Sequence, residues 1–208
     1  ELSQVSYEWN NLDTTLEQVH NCIALCRQWG YQGFQAIGSV MLALLEQVQG
    51  HPEAALEAIN IAENLTREQH FAFKYAVWVK YVLVRLWITQ GNLEKASHIV
   101  QESSVTIKDD ISFLRELEFL ALLRLLLAQG DYEASLILSR RILKKAETAR
   151  QIRRMIEVLV LQALIFQGRK DLDQALTALK KALSLAKPER YIRTFVDEGE
   201  TMRSLLLS

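Results

Sequence analysis

The sequence predicts an all-α fold, an α-solenoid of about five antiparallel helix pairs, from three observations. Half of the 208 residues are hydrophobic, while eight glycines and two prolines are too few to punctuate a β-protein or an α/β sheet. Apolar residues run at helical spacing through nearly the whole chain. Four times a stretch of apolar helix ends in Gln-Gly and a second helix carrying small residues follows. Those glycines stand at residues 50, 91, 130 and 168, so the spacings are 41, 39 and 38. A fixed period near 40 is the mark of stacked helical units.

Taken in order, the units begin with a degenerate copy. "EWNNLDTTLEQV" places Leu12 and Thr15 where a later unit has Leu93 and Ala96. The four clear copies are "LLEQVQGHPEAALEAI", "RLWITQGNLEKASHIV", "RLLLAQGDYEASLILS" and "LIFQGRKDLDQALTAL". In each, the glycine is expected to end the first helix in the left-handed conformation that lacks a Cβ penalty. Ala55, Ala96, Ser135 and Ala175 then let the second helix approach its neighbour. First helices such as "ELEFLALLRLLLA", residues 116–128, are apolar nearly all round and need cover on most sides. Second helices such as "YEASLILSRRILKKAE" are amphipathic, with a charged outer face. The repeats are assigned to residues 1–187. Residues 188–208 break the period and read as a capping or linker segment.

Charge is nearly balanced at −1 but unevenly placed. Residues 1–138 hold nine Lys and Arg against seventeen Asp and Glu, and residues 139–208 hold fifteen against eight. Such polarity permits head-to-tail self-association and does not mark a nucleic-acid-binding protein as such. No run of about 18 uncharged apolar residues suggests a membrane span. The chain starts at Glu1 without a signal-like segment and reads as a piece of a longer protein. Cys22 and Cys26 lie four apart on a predicted helix, where a disulfide would be strained, so reduced thiols are expected. No GxxxxGK[ST] phosphate loop occurs.

The spacing of "GNLEKA" and "GDYEAS" resembles the tetratricopeptide repeat, with a longer period and without its terminal proline. That resemblance implies a right-handed superhelix with a concave groove. The end of the chain, "PERYIRTFVDEGETMRSLL", resembles the region following the helical repeats of MalT-like, ATP-dependent LuxR-type transcription regulators. The match runs through Pro188, Glu189, Tyr191, Arg193, Phe195, Asp197, Glu198, Gly199, Met202, Leu205 and Leu206. The resemblance implies an effector- or partner-binding domain in a cytoplasmic regulator. It also implies ATP bound by an upstream module and DNA bound by a C-terminal helix-turn-helix domain, with no cofactor expected in this segment. The tail is expected to pack on the last repeat and lead onward. A tetratricopeptide-type scaffold gripping a partner peptide is the alternative.

Six residues before each turn glycine stand Leu44, Arg85, Arg124 and Gln162. If the pairs superpose, Arg85, Arg124 and Gln162 form a ladder, set either to hold an anionic or hydroxyl-rich ligand or to pair with Glu116 or Glu157. Phe71, Tyr75, Trp78 and Tyr81 or Val82 recur at helical spacing on the helix of Arg85, and Trp78 and Tyr81 are mapped to the groove side. An aromatic stripe of this kind also suits a core. Arg140, Arg141, Lys144, Lys145, Arg150, Arg153 and Arg154 form a basic cluster, which is either an outer solenoid face or a docking patch for an acidic partner, a neighbouring domain or DNA phosphates. His20 and Cys22 point different ways from one helix, so no metal site is expected. No grouping of Ser, His and Asp supports catalysis.

Overall fold

A computed structural model describes residues 2–68 and 73–208, and the side chains of these except at residues 68, 73 and 74. Phe71 lies outside the described residues. All regular structure among the described residues is helical. The helices run in antiparallel pairs: α1 (Leu2–Glu8) with α2 (Leu12–Trp29), α3 (Gln32–Val48) with α4 (Pro52–Glu68), and α5 (Phe73–Thr89) with α6 (Leu93–Ser103). After a connection containing a short 3₁₀ turn come α7 (Glu116–Ala128) with α8 (Tyr132–Thr148), and α9 (Ile152–Gly168) with α10 (Leu172–Ala186). Two short helices, α11 (Arg193–Val196) and α12 (Gly199–Leu206), end the chain.

From α1 to α10 each helix packs on the next, and α3, α5 and α7 also touch along an inner layer. Inner helices are buried on several sides, which is why their sequences are apolar nearly all round. Thr15, Ala55, Ala96, Ser135 and Ala175 are completely buried, the small residues that allow close helix approach. Asn92, Asp131 and Asp171 cap α6, α8 and α10 through side-chain oxygens that accept from Lys95, Ala134 and Gln174 backbone N–H.

The turn within each pair is set by one left-handed residue. These are Asn10, Gly50, Gly91, Gly130 and Lys170, which lie 39 to 41 residues apart. Asn10 explains the degenerate first copy, since Asn tolerates this conformation better than most side chains. The fourth turn differs from expectation. Lys170 takes the left-handed position at φ 63°, and Gly168 is the last helical residue of α9. A Cβ on Gly168 would collide with the hydroxyl-bearing edge of the Tyr132 ring, so this glycine serves close packing and not turning.

Residues 188–208 join the body of the fold. Phe195, Met202 and Leu205 belong to the same continuous core as α3 to α10. Arg190 is left-handed, as are Arg150 and Gly30 at turns between pairs, and 190 and 150 differ by the repeat length. Thus α11 starts where a sixth inner helix would, and it packs on α9. It also reaches α1 at the other end of the array. Ile192 N–H donates to the Glu8 backbone oxygen at 2.8 Å, Thr194 Oγ1 donates to Glu8 Oε2 at 2.8 Å, and Trp9 Nε1 donates to the Glu189 backbone oxygen at 3.1 Å. The tail thus packs on the last repeat, as expected, and reaches the first helix as well. It bridges the last inner helix to the first.

Candidate functional site

The inner helices and the tail enclose a cavity of about 540 Å³ on the concave side. Its lining follows the repeat. Counting six residues back from the left-handed turn residue gives Leu44, Arg85 and Arg124, and seven further back, two turns along the same face, gives Ile37, Trp78 and Leu117. All six line the cavity. The same count from Lys170 leads to Glu157, and one repeat later to Asp197, both also in the lining.

Gln162 is a correction to the predicted ladder. Because the fourth turn residue is Lys170 and not Gly168, its register is displaced by two residues, about 200° around the helix. Gln162 faces the seam with α8, where it is 7% exposed and donates to Ser139 Oγ at 3.3 Å. Trp78, Tyr81, Arg85 and Arg124 share the cavity wall.

One side of the cavity is apolar, built from Val19, Ile37, Met41, Leu44 and Trp78. The other is a network of charges. Arg124 makes a two-pronged contact with Glu198, at 2.9 and 3.2 Å, and its Nε donates to Tyr81 Oη at 2.8 Å. Tyr81 donates in turn to Glu157, which also binds Arg154. Arg154 reaches Glu116 at 3.2 Å. Asp197 is held by Arg193, accepts from Tyr7 Oη at 2.7 Å and lies 3.6 Å from Arg85. Arg153 stands 3.8 Å from Glu8. The anion-binding option for Arg85 and Arg124 is thus met internally: both already face carboxylates.

These surroundings shift the ionisable groups. Burial by itself would raise the Glu157 carboxyl, but Arg154, Arg124 and the Tyr81 hydroxyl outweigh it and bring the group down to about 2. Burial pushes Glu8 upward against the hydrogen bonds from Thr194 and the charge of Arg153. It likewise raises the phenols of Tyr7 and Tyr81, each beside a carboxylate. For Arg124, burial opposes the charge, yet Glu198, Tyr81 and Glu157 hold it well above the usual guanidinium value.

The predicted basic cluster divides. Arg154 lines the cavity from a largely buried position, and Arg153 borders it while 57% exposed. Arg141 donates to the backbone oxygens of Ile107 and Asp109, fixing the connection before α7. Arg140, Lys144, Lys145 and Arg150 are exposed. The seven residues are thus spread over an outer helix, a turn and an inner helix, and Arg141 and Arg154 are engaged within the fold.

Sequence reasoning missed Tyr7, Glu8, Asp197 and Glu198 as cavity residues. The 40-residue spacing of Glu157 and Asp197 was the available signal. It also missed exposed aromatics at the turn from α2 to α3: Trp29, Tyr31 and Phe34 are 66%, 56% and 60% exposed, and Trp29 and Tyr31 stack with centroids 6.3 Å apart. Cys22 and Cys26 are free thiols with sulfurs 4.0 Å apart. Among the described residues no cluster of His, Cys, Asp and Glu is arranged to hold a metal ion, and no helix is long and apolar enough to cross a membrane.

Repeated helix pairs around a concave cavity define a tetratricopeptide-like α-solenoid. Its family is equally specific: the model of the MalT-like TPR region matches residues 1–208, and the chain belongs to that family. No curated protein matches the chain.

Proposed function

We propose that this domain binds the effector of a LuxR-type, MalT-like transcription regulator, and that the concave cavity is the effector site. The observation that carries this reading is the cavity itself, of about 540 Å³, lined by an apolar wall and by polar groups from the inner helices. That combination suits a small molecule. The tail forms part of the wall, so an occupant touches both the repeats and the chain leading out of them. Differential affinity for two tail positions would convert binding into a signal. In this reading the domain performs no catalysis and no specific DNA binding of its own. ATP binding and DNA binding belong to other modules of a cytoplasmic regulator.

The test is a thermal-melt screen against sugars, nucleotides, amino acids and common metabolites. A ligand at 100 times its Kd is expected to raise the midpoint by about 5–10 °C for a chain of this size. The shift should vanish in Trp78→Ala. A flat screen would overturn the small-molecule reading.

The exposed Trp29, Tyr31 and Phe34 support a second reading, a scaffold that docks a regulatory protein. Such aromatic anchors dominate many protein interfaces. Trp29→Ala, outside the cavity lining, should then abolish capture of that partner and leave the melt unchanged.

A further inference from the structure

Resting on the reading of the cavity as an effector site, we infer that its ligand carries no net charge and joins an apolar body to an oxygen acceptor received by Arg85. The first ground is charge balance. Five arginines (Arg85, Arg124, Arg153, Arg154 and Arg193) meet five carboxylates (Glu8, Glu116, Glu157, Asp197 and Glu198) in and around the cavity. A ligand bringing a net charge would leave one buried charge uncompensated, which is costly where the surroundings are desolvated.

The second ground is the state of Arg85. Arg124 spends its donors on Glu198, Glu157 and Tyr81, while Arg154 gives one to Glu157 and pairs with Glu116 at 3.2 Å, its Nε buried without a hydrogen-bond partner. Among the described residues Arg85 has the ion pair with Asp197 at 3.6 Å, beyond hydrogen-bond length, and a cation–π approach to the Tyr81 ring at 5.9 Å. Its guanidinium makes no side-chain hydrogen bond to another described residue, although the side chain is only 22% exposed. A guanidinium has five N–H donors and no acceptor. At Arg85 the cavity thus offers a set of donors whose charge Asp197 already offsets. A carbonyl, ether or hydroxyl oxygen satisfies them without disturbing that balance.

The third ground is the opposite wall, where Ile37, Met41, Leu44 and Trp78 offer apolar surface and one indole face. A ligand anion at Arg85 would stand beside the Asp197 carboxylate, and to reach Arg124 it would have to evict Glu198. Those carboxylates are tethered to the same chain and therefore act at high effective concentration.

The test uses three molecules of one shape: 3-phenylpropanamide, 3-phenylpropanoate and 3-phenylpropylammonium. Binding to the 208-residue chain is followed by ligand-observed NMR titration. The amide should bind at least about tenfold more tightly than either ion, and Arg85→Met, which keeps an apolar stem without donors, should remove most of that advantage. Comparison of the three on the unaltered chain needs no variant. Preference for the propanoate, with new tryptic cleavage after Arg193, would overturn the inference and show an anion displacing the tail. Preference for the ammonium ion, or no binding by any of the three, would also overturn it. The effector reading is decided separately: a charged ligand found in the broad screen, with a shift lost in Trp78→Ala, would leave that reading standing.

Discussion

The phenol of Tyr7 donates a 2.7 Å hydrogen bond to the carboxylate of Asp197, joining side chains 190 positions apart. Arg193 binds the same carboxylate and lies 5.6 Å over the Tyr7 ring. The first inner helix and the tail are thus one structural unit, and solenoid ends that sequence would leave free are closed on each other.

Tyr7→Phe should test this closure. The substitution keeps the ring but strands one acceptor of Asp197, at a cost of about 1–2 kcal/mol. Cleavage by trypsin after Arg193, which is buried in the closed form, should become faster at an unchanged helical circular dichroism signal.

Arg124→Met should be far more damaging. It leaves Glu198 without its two-pronged partner and takes one of two arginines from Glu157. Removing one side of a buried ion pair costs about 3–5 kcal/mol. Adding Glu198→Gln to the same chain should recover part of the loss in urea unfolding, because the stranded charge is then gone.

Acid should weaken the fold through Glu157. Its folded value of about 2 lies below its ordinary 4.5, so its contribution is present above pH 4.5 and is lost as the pH falls from 4.5 through 2. A shift of that size corresponds to roughly 3 kcal/mol. Glu8 is raised and acts oppositely: its protonation in acid favours the folded state. In Glu157→Gln the fall in stability between pH 4.5 and 2 should be shallower than in the unaltered chain.

The turns yield predictions of opposite sign. Lys170→Gly and Arg150→Gly relieve left-handed residues that carry a Cβ, and each should raise stability by up to about 1 kcal/mol. Gly91→Ala, at φ 76°, should lower it by about 1–2 kcal/mol. Gly168→Ala should also destabilise, but by collision with Tyr132, so Tyr132→Ala in the same chain should offset part of the loss. Thermal melts of the single and double variants separate the two causes.

Much of the architecture was legible because short-range chemistry writes it. Gly50, Gly91 and Gly130 mark turns that need a left-handed residue, and Ala55, Ala96, Ser135 and Ala175 mark close helix contacts. Gly168 misled the register because glycine serves two purposes, a free φ and an absent Cβ. A two-residue error in a helix turns a side chain to the far side, and Gln162 moved from groove to seam for that reason.

The sequence by itself determined the all-α class, the repeat length, the pairing of neighbouring helices and the likeness to MalT-like regulators, since each rests on residues close together in the chain. Only the tertiary structure decided that Asp197 and Glu198 meet Tyr7, Arg85 and Arg124, and that the cavity charges cancel. Small rotations between successive pairs add up along the array. Their sum brings residue 197 back to residue 7, and no local pattern of spacing records that sum.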